Sequence, residues 1–118
     1  MPGGGIEAGE SPVEAAVREV REETGFILEP LGVGEPVAVN AGEWSLRGSR
    51  YYTVHTYFFA RVAEADASGT RDDGFGHRWW TRDELDATTE RIFPPGLAVL
   101  LNDLFQGVRH ERPVTLDW

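Results

Sequence analysis

The chain contains no cysteine, no lysine and no apolar run long enough to cross a membrane. The first absence removes thiol nucleophiles, disulfides and thiolate metal sites, so any metal must sit on oxygen or imidazole. The second makes arginine the source of all 11 Lys and Arg charges, set against 20 acidic residues for a net charge of −9. A balance that acidic argues against a large nucleic-acid interface, which needs clustered cations to neutralise phosphates. A small phosphorylated ligand remains compatible, reached through a bound cation or through arginine acting as a bidentate clamp. The third absence, together with the lack of a basic segment leading into an apolar stretch, leads us to expect a cytoplasmic protein without a membrane anchor.

What is present is ordinary for a globular chain: 118 residues, 41% of them apolar and 26% charged. That length predicts a single domain, residues 1–118, with one core. Strand and helix patterns alternate without regular βαβ repetition, which predicts an α+β fold with a mixed sheet. Ser11-Pro12-Val13-Glu14 combines a helix cap, proline at the first helical position and glutamate three residues after the cap. It predicts a helix from Pro12 to Thr24, stopped by Gly25 in the left-handed conformation. Pro36 to Leu46 and Arg50 to Val62 read as strands joined by a turn at Arg47-Gly48-Ser49. The second carries bulk on both faces, which predicts a central strand covered from both sides. A polar loop from Ala65 to Gly76 and a short strand from His77 to Trp80 should follow. Thr81-Arg82-Asp83-Glu84 then opens a short helix. A final helix from Pro95 to Gln106 should bury Leu97, Leu100, Leu101, Leu104 and Phe105.

The chemistry concentrates on the first helix. With Arg18 at zero, Glu22, Glu19 and Glu23 fall at about 40°, 100° and 140°, one shared face. Val13, Val17, Val20 and Thr24 fall at about 200° to 260°, an opposite face directed to the core. A solvated acidic face is the usual meaning of such a run. Here it explains the pattern poorly, because Glu19 and Glu23 are like charges at i, i+4 and oppose the helix by a few tenths of a kcal/mol, roughly. The arrangement calls for a cation. Hard divalent ions prefer carboxylate and carbonyl oxygens, and the glycine-rich loop from Gly3 to Gly9 offers carbonyls beside the helix start.

From Gly4 the sequence reads G-x5-E-x7-R-E-V-x-E-E-x-G-F, with Glu10, Arg18, Glu19, Glu22, Glu23, Gly25 and Phe26 in place. This stretch resembles the Nudix box in full; a chance match at one starting point is on the order of 10⁻⁸. "HRWWTRDEL" and the terminal leucine-rich helix resemble later parts of Nudix hydrolases. The resemblance implies a Nudix-like α/β/α sandwich and metal-dependent hydrolysis of a phosphoanhydride. The substrate would be a small-molecule nucleotide, either a nucleoside diphosphate linked to another moiety or a nucleoside triphosphate. It implies Mg²⁺ or Mn²⁺ held by Glu19, Glu22, Glu23 and a backbone carbonyl near Gly4. Glu19 would be a ligand or the proton acceptor, Arg18 would orient the carboxylates, Glu10 would hold the loop and Gly25 would be structural. The crowded carboxylates should raise one another's pKa and weaken metal binding in acid.

Outside the box the reading is thinner. Glu64, Asp66, Asp72 and Asp73 are candidates for an assisting carboxylate, with Asp72 and Asp73 preferred. Arg47, Arg50, Arg61 and Arg78 are candidate phosphate clamps, and Trp79 or Trp80 a candidate base-stacking surface. His55 and His77 read as structural. An alternative role is a non-catalytic nucleotide-binding or sensor domain. Only Met1, Pro2 and Gly3 precede the box, whereas the resemblance implies one or more strands ahead of it. The expectation is a chain shortened at its N-terminus. Otherwise the missing strand comes from a partner chain, as in a homo-oligomer that completes the sheet, or from Arg112 to Trp118, with Pro113 restricting that segment to an edge or a strand's start.

Overall fold

Two reciprocal capping boxes punctuate the chain. In the computed structural model, which describes residues 1–63 and 79–118, α1 spans Pro12–Thr24 as the sequence predicts. The Ser11 side chain accepts from the Glu14 N–H, and the Glu14 carboxylate accepts from the Ser11 N–H. Gly25, with φ of 80°, closes the helix by donating to the Arg21 carbonyl at 3.0 Å. The second box, Thr81 with Glu84, opens α3 (Arg82–Ala87). Each such cap contributes about 1 kcal/mol.

The chain divides into two compact units, Met1–Glu35 with Phe58–Trp80, and Pro36–Tyr57 with Thr81–Trp118. The first holds α1 and the single-turn α2 (Pro30–Val33). Its most buried α1 residue is Ala15, 3% exposed, while Val13, Val17, Val20 and Thr24 are only half-buried. On the wheel Ala15 falls at about 60°, between Glu22 and Glu19. Arg18 and Glu23 also bond to the preceding loop, so the helix is not the simple two-faced element its valines suggest.

The second unit holds β1 (Ala38–Leu46), β2 (Ser49–Tyr57), α3, α4 (Leu97–Phe105) and β3 (Val114–Thr115). The sheet order is β2-β1-β3, with β1 antiparallel to β2 and parallel to β3. This is an α+β chain with a small, open, mixed sheet, as expected. Arg47 and Gly48 form the hairpin turn, with φ of 50° and 82°. Positive φ at both central residues lets a two-residue loop match the twist of its strands. Pro113 stands immediately before β3, and Val114 and Leu116 donate to the carbonyls of Val37 and Val39 at 3.0 and 2.9 Å. The C-terminal segment therefore supplies a strand, but beside β1 and not beside β2.

Several expectations need correction. β2 lies at an edge of the described sheet and β1 is its centre. Tyr52 and Val54 are 69% and 60% exposed, so the bulk on both faces of β2 does not signal two covering layers. Part of it is lateral packing, Tyr51 stacking on Trp44 across the hairpin at 4.6 Å. β2 also ends at Tyr57, not Val62. Its last bond runs from the Val37 N–H to the Tyr57 carbonyl at 2.8 Å, and the next residue on the partner side is Pro36, which has no N–H to give. Trp79 and Trp80 are not in a strand; His77 and the loop from Ala65 to Gly76 lie outside the described residues. In α4, Leu100 and Leu104 are buried and Leu97 and Leu101 half-buried, whereas Phe105 is 37% exposed and capped by the Arg82 guanidinium 5.6 Å from its ring.

The core of this unit contains one polar residue, Asn40, 2% exposed. Its Oδ1 accepts from the Tyr57 hydroxyl at 3.1 Å and lies 3.0 Å from His55 Nδ1, and its Nδ2 donates to the Asp117 carbonyl at 3.0 Å. With Oδ1 an acceptor, Nδ1 is the protonated nitrogen of His55. Burial pushes the Tyr57 phenol upward, a shift that the Asn40 bond partly opposes. The Trp118 ring stacks on His55 at 5.3 Å and lies against Gly42, where any Cβ would overlap it. One amide thus ties β1, β2 and the C-terminal segment together. Asn40→Ala should destabilise the chain by roughly 1–3 kcal/mol, the cost of leaving buried partners unsatisfied. Chemical denaturation would measure this; an unchanged midpoint would contradict it.

Candidate active site on the first helix

Arg18 is the hub of the box. Its Nε donates to Glu10 Oε2 at 2.8 Å and its Nη2 to Glu10 Oε1 at 3.0 Å, a two-pronged grip across eight residues. Nη2 also donates to the Gly5 carbonyl at 2.8 Å. Nη1 reaches Glu19 at 2.9 Å and, more weakly, Glu22 at 3.4 Å. A planar, permanently charged fork can serve this many oxygens in one plane, and lysine could not replace it. The side chains of Arg18, Glu10 and Glu19 are 23%, 17% and 16% exposed, so the cluster is largely shielded from water.

Two further bonds fix the loop to the helix. The Glu7 N–H donates to Glu10 Oε1 at 2.8 Å and the Glu10 N–H to the Glu7 carbonyl at 3.0 Å, closing a tight turn. The Gly3 N–H donates to Glu23 Oε2 at 2.9 Å, across twenty residues. Between these anchors Gly4 lies so close to Glu19 that a Cβ there would overlap the carboxylate. Glycine at this position is what lets the loop backbone and the Glu19 carboxylate meet.

The charge pattern leaves a signature on acidity. The Arg18 bond, reinforced by the Glu7 N–H, holds the Glu10 carboxyl below its ordinary value of 4.5, and Glu10 and Glu19 in turn push the Arg18 guanidinium upward. A carboxylate depressed in the folded state adds stability above its unfolded pKa and loses it as pH falls through the folded one. The melting temperature should therefore drop as pH falls below about 4.5, and Glu10→Gln should flatten that acid limb. Equal acid dependence in both proteins would refute the role assigned to Glu10.

Of the site residues read from the sequence, the structure brings together Glu10, Arg18, Glu19, Glu22, Glu23 and Gly4, and places Gly25 as the helix stop. The three helix carboxylates do not converge on one point: Glu19 and Glu22 turn to Arg18 and Glu23 to Gly3. Among the described residues no three acidic or imidazole side chains form a ready cation cage. The donor set is nonetheless the one a hard divalent ion takes, carboxylates beside loop backbone, with the glycine gap at Gly4 admitting Glu19.

The outlying candidates separate. Arg47 occupies the hairpin turn, Arg50 pairs with Glu43, and Arg61 lies 5.6 Å from the Phe59 ring. Trp79 meets Phe26 edge to face at 5.8 Å and is 46% exposed. His55 is structural, as read. Glu64, Asp66, Asp72, Asp73, His77 and Arg78 lie outside the described residues. Sequence reasoning missed Asn40, whose one signal was an amide inside an apolar strand, where asparagine is depleted.

Compared with known proteins, residues 1–100 match the family model described as the NUDIX domain. The chain belongs to the Nudix family. The Arabidopsis thaliana protein Nudix hydrolase 25 is 33% identical over 101 residues, an alignment covering 71% of this chain and 57% of that protein. This Nudix chain thus spans a little over half the length of that curated relative. No solved structure matches it. No helix among the described residues is long and apolar enough to cross a membrane.

Proposed function

We propose that this Nudix chain hydrolyses a phosphoanhydride bond in a nucleoside diphosphate-linked or nucleoside triphosphate substrate, by attack of water on phosphorus. The observation that carries the reading is the Arg18 hub, which holds the glycine loop, Glu10 and Glu19 in one shielded cluster. Glu19, Glu22, Glu23 and a backbone carbonyl at Gly4 would hold Mg²⁺ or Mn²⁺. Such an ion supplies Lewis-acid polarisation of the phosphoryl oxygens when bound.

The chain's own groups do the rest. Glu19 accepts the proton of the attacking water, and its carboxylate is aimed by Arg18 Nη1. Arg18 retains a full positive charge throughout, so it orients carboxylates without exchanging protons with them. Glu10 fixes the guanidinium from the opposite side and keeps the loop closed over the helix.

The test is a panel of nucleoside triphosphates and diphosphate-linked nucleosides incubated with Mg²⁺ or Mn²⁺, read as release of phosphate, pyrophosphate or nucleoside monophosphate. Release from one substrate class, dependent on metal, is expected; no release from any member would overturn the reading. Metal should also stabilise the folded chain by mass action, by about 2.7 kcal/mol at a hundred times its dissociation constant. EDTA should reverse the shift and Glu22→Gln blunt it. Superimposable melting curves with and without metal would remove the ion from the proposal.

A further inference from the structure

We propose that the main-chain N–H of Gly3 is a positioning donor for Glu23, a role that rests on the reading of Glu23 as an ion ligand. It fixes one oxygen of that carboxylate and leaves the other for the divalent ion. The carboxylates of α1 are held unequally. Glu19 and Glu22 both accept from Arg18 Nη1, at 2.9 and 3.4 Å. Glu23 stands about 140° around the helix from Arg18, and its partner comes from the loop instead. The Gly3 N–H donates to its Oε2 at 2.9 Å. Among the described residues Glu23 Oε1 accepts no bond.

The chemistry of the donor sets what it does. Arg18 brings a full positive charge to the oxygens it holds, and an arriving cation meets that charge as repulsion. A peptide N–H is a strong donor without net charge, so it restrains Glu23 and leaves the negative charge of the carboxylate intact. A glutamate in water otherwise spreads over many rotamers, and ordering it costs entropy at the moment an ion binds. Glu23 is half-buried and already held by one oxygen, so part of that ordering precedes the ion. Protein donors that bond a ligand side chain from outside act in this way at metal sites, by orienting what the metal meets.

The bond also ties the loop to the helix, and the position of Gly3 allows the two roles to be separated. A Cβ at Gly3 meets nothing within 4 Å, and the residue does not sit at positive φ. Alanine therefore keeps the donor at no steric cost, whereas proline removes it. Glutamine at position 23 makes the complementary change: its amide oxygen can still accept from Gly3, so the loop tie survives, while the charge that draws a cation is gone.

Calorimetric titration with Mn²⁺ compares the unmodified chain, Gly3→Ala and Gly3→Pro, each with and without Glu23→Gln. Gly3→Ala should match the unmodified chain, and Gly3→Pro should bind Mn²⁺ about 10- to 100-fold more weakly, the usual effect of losing an outer partner of a metal ligand. In the Glu23→Gln background, Gly3→Pro should add almost nothing. Melting curves in EDTA should stay cooperative for every variant. An unmodified chain that takes up no Mn²⁺ overturns the ion reading and this inference with it. Binding as tight in Gly3→Pro as in Gly3→Ala overturns this inference alone. So does an equal loss in the Glu23→Gln background, or a Gly3→Pro chain that fails to fold, since either makes the bond a loop tie only.

Discussion

Glu19→Gln is expected to lower turnover by about two to four orders of magnitude, the range that a positioned proton acceptor contributes. The amide cannot take a proton from water, yet its oxygen can still accept the Arg18 Nη1 bond that the carboxylate accepts at 2.9 Å. The loop should stay closed over the helix and the melting transition without metal should hardly move. Glu22→Gln should show a comparable loss for a different reason. Its side chain is 47% exposed and 3.4 Å from Arg18, so it contributes little to the fold, and the role proposed for it is toward an ion. The two variants therefore separate by metal titration: excess Mn²⁺ should restore part of the Glu22→Gln activity and none of the Glu19→Gln activity. Full activity in either variant, or collapse of folding in both, would sink the assignment.

Much of this architecture was legible in the residues because local rules and tertiary demands agree. Ser11, Pro12, Glu14 and Gly25 set both ends of α1 without help from the rest of the chain, and Arg47-Gly48 set the hairpin. The tie between Glu10 and Arg18 was expected only from the family resemblance, since no local rule links two residues eight apart across a loop and a helix start. Sheet position was not legible in the same way. Alternating bulk looks alike in a central strand and in an edge strand whose rings stack on a neighbour, and Trp44 on Tyr51 is the second case. Ala15, 3% exposed, was missed because a methyl group carries little amphipathic signal. The role of Trp118 was hidden for a related reason: the cleft it fills exists only because Gly42, on a different strand, has no side chain.

The loop supplies the sharper experiment, because three of its glycines stand close together and differ in what a methyl group would meet. Around Gly3 and Gly5 there is open space, whereas a Cβ at Gly4 would overlap the Glu19 carboxylate. Alanine at Gly3 or Gly5 should leave activity within a fewfold of the unmodified chain. Gly4→Ala should lower turnover by about a hundredfold, the effect of moving a reacting group by roughly 1 Å. The folding cost should be small, since the atom displaced is the free end of a flexible side chain and the Glu10 grip on Arg18 is untouched. Glu19 can yield, but it yields its aim. A double-mutant cycle distinguishes this from a loop that simply tolerates alanine badly. In a Glu19→Gln background, where the proposed proton acceptor is already lost, Gly4→Ala should add almost nothing to the defect. Additive losses in that cycle, or equal losses from alanine at all three glycines, would show that Gly4 acts on the loop as a whole and not through the carboxylate beside it.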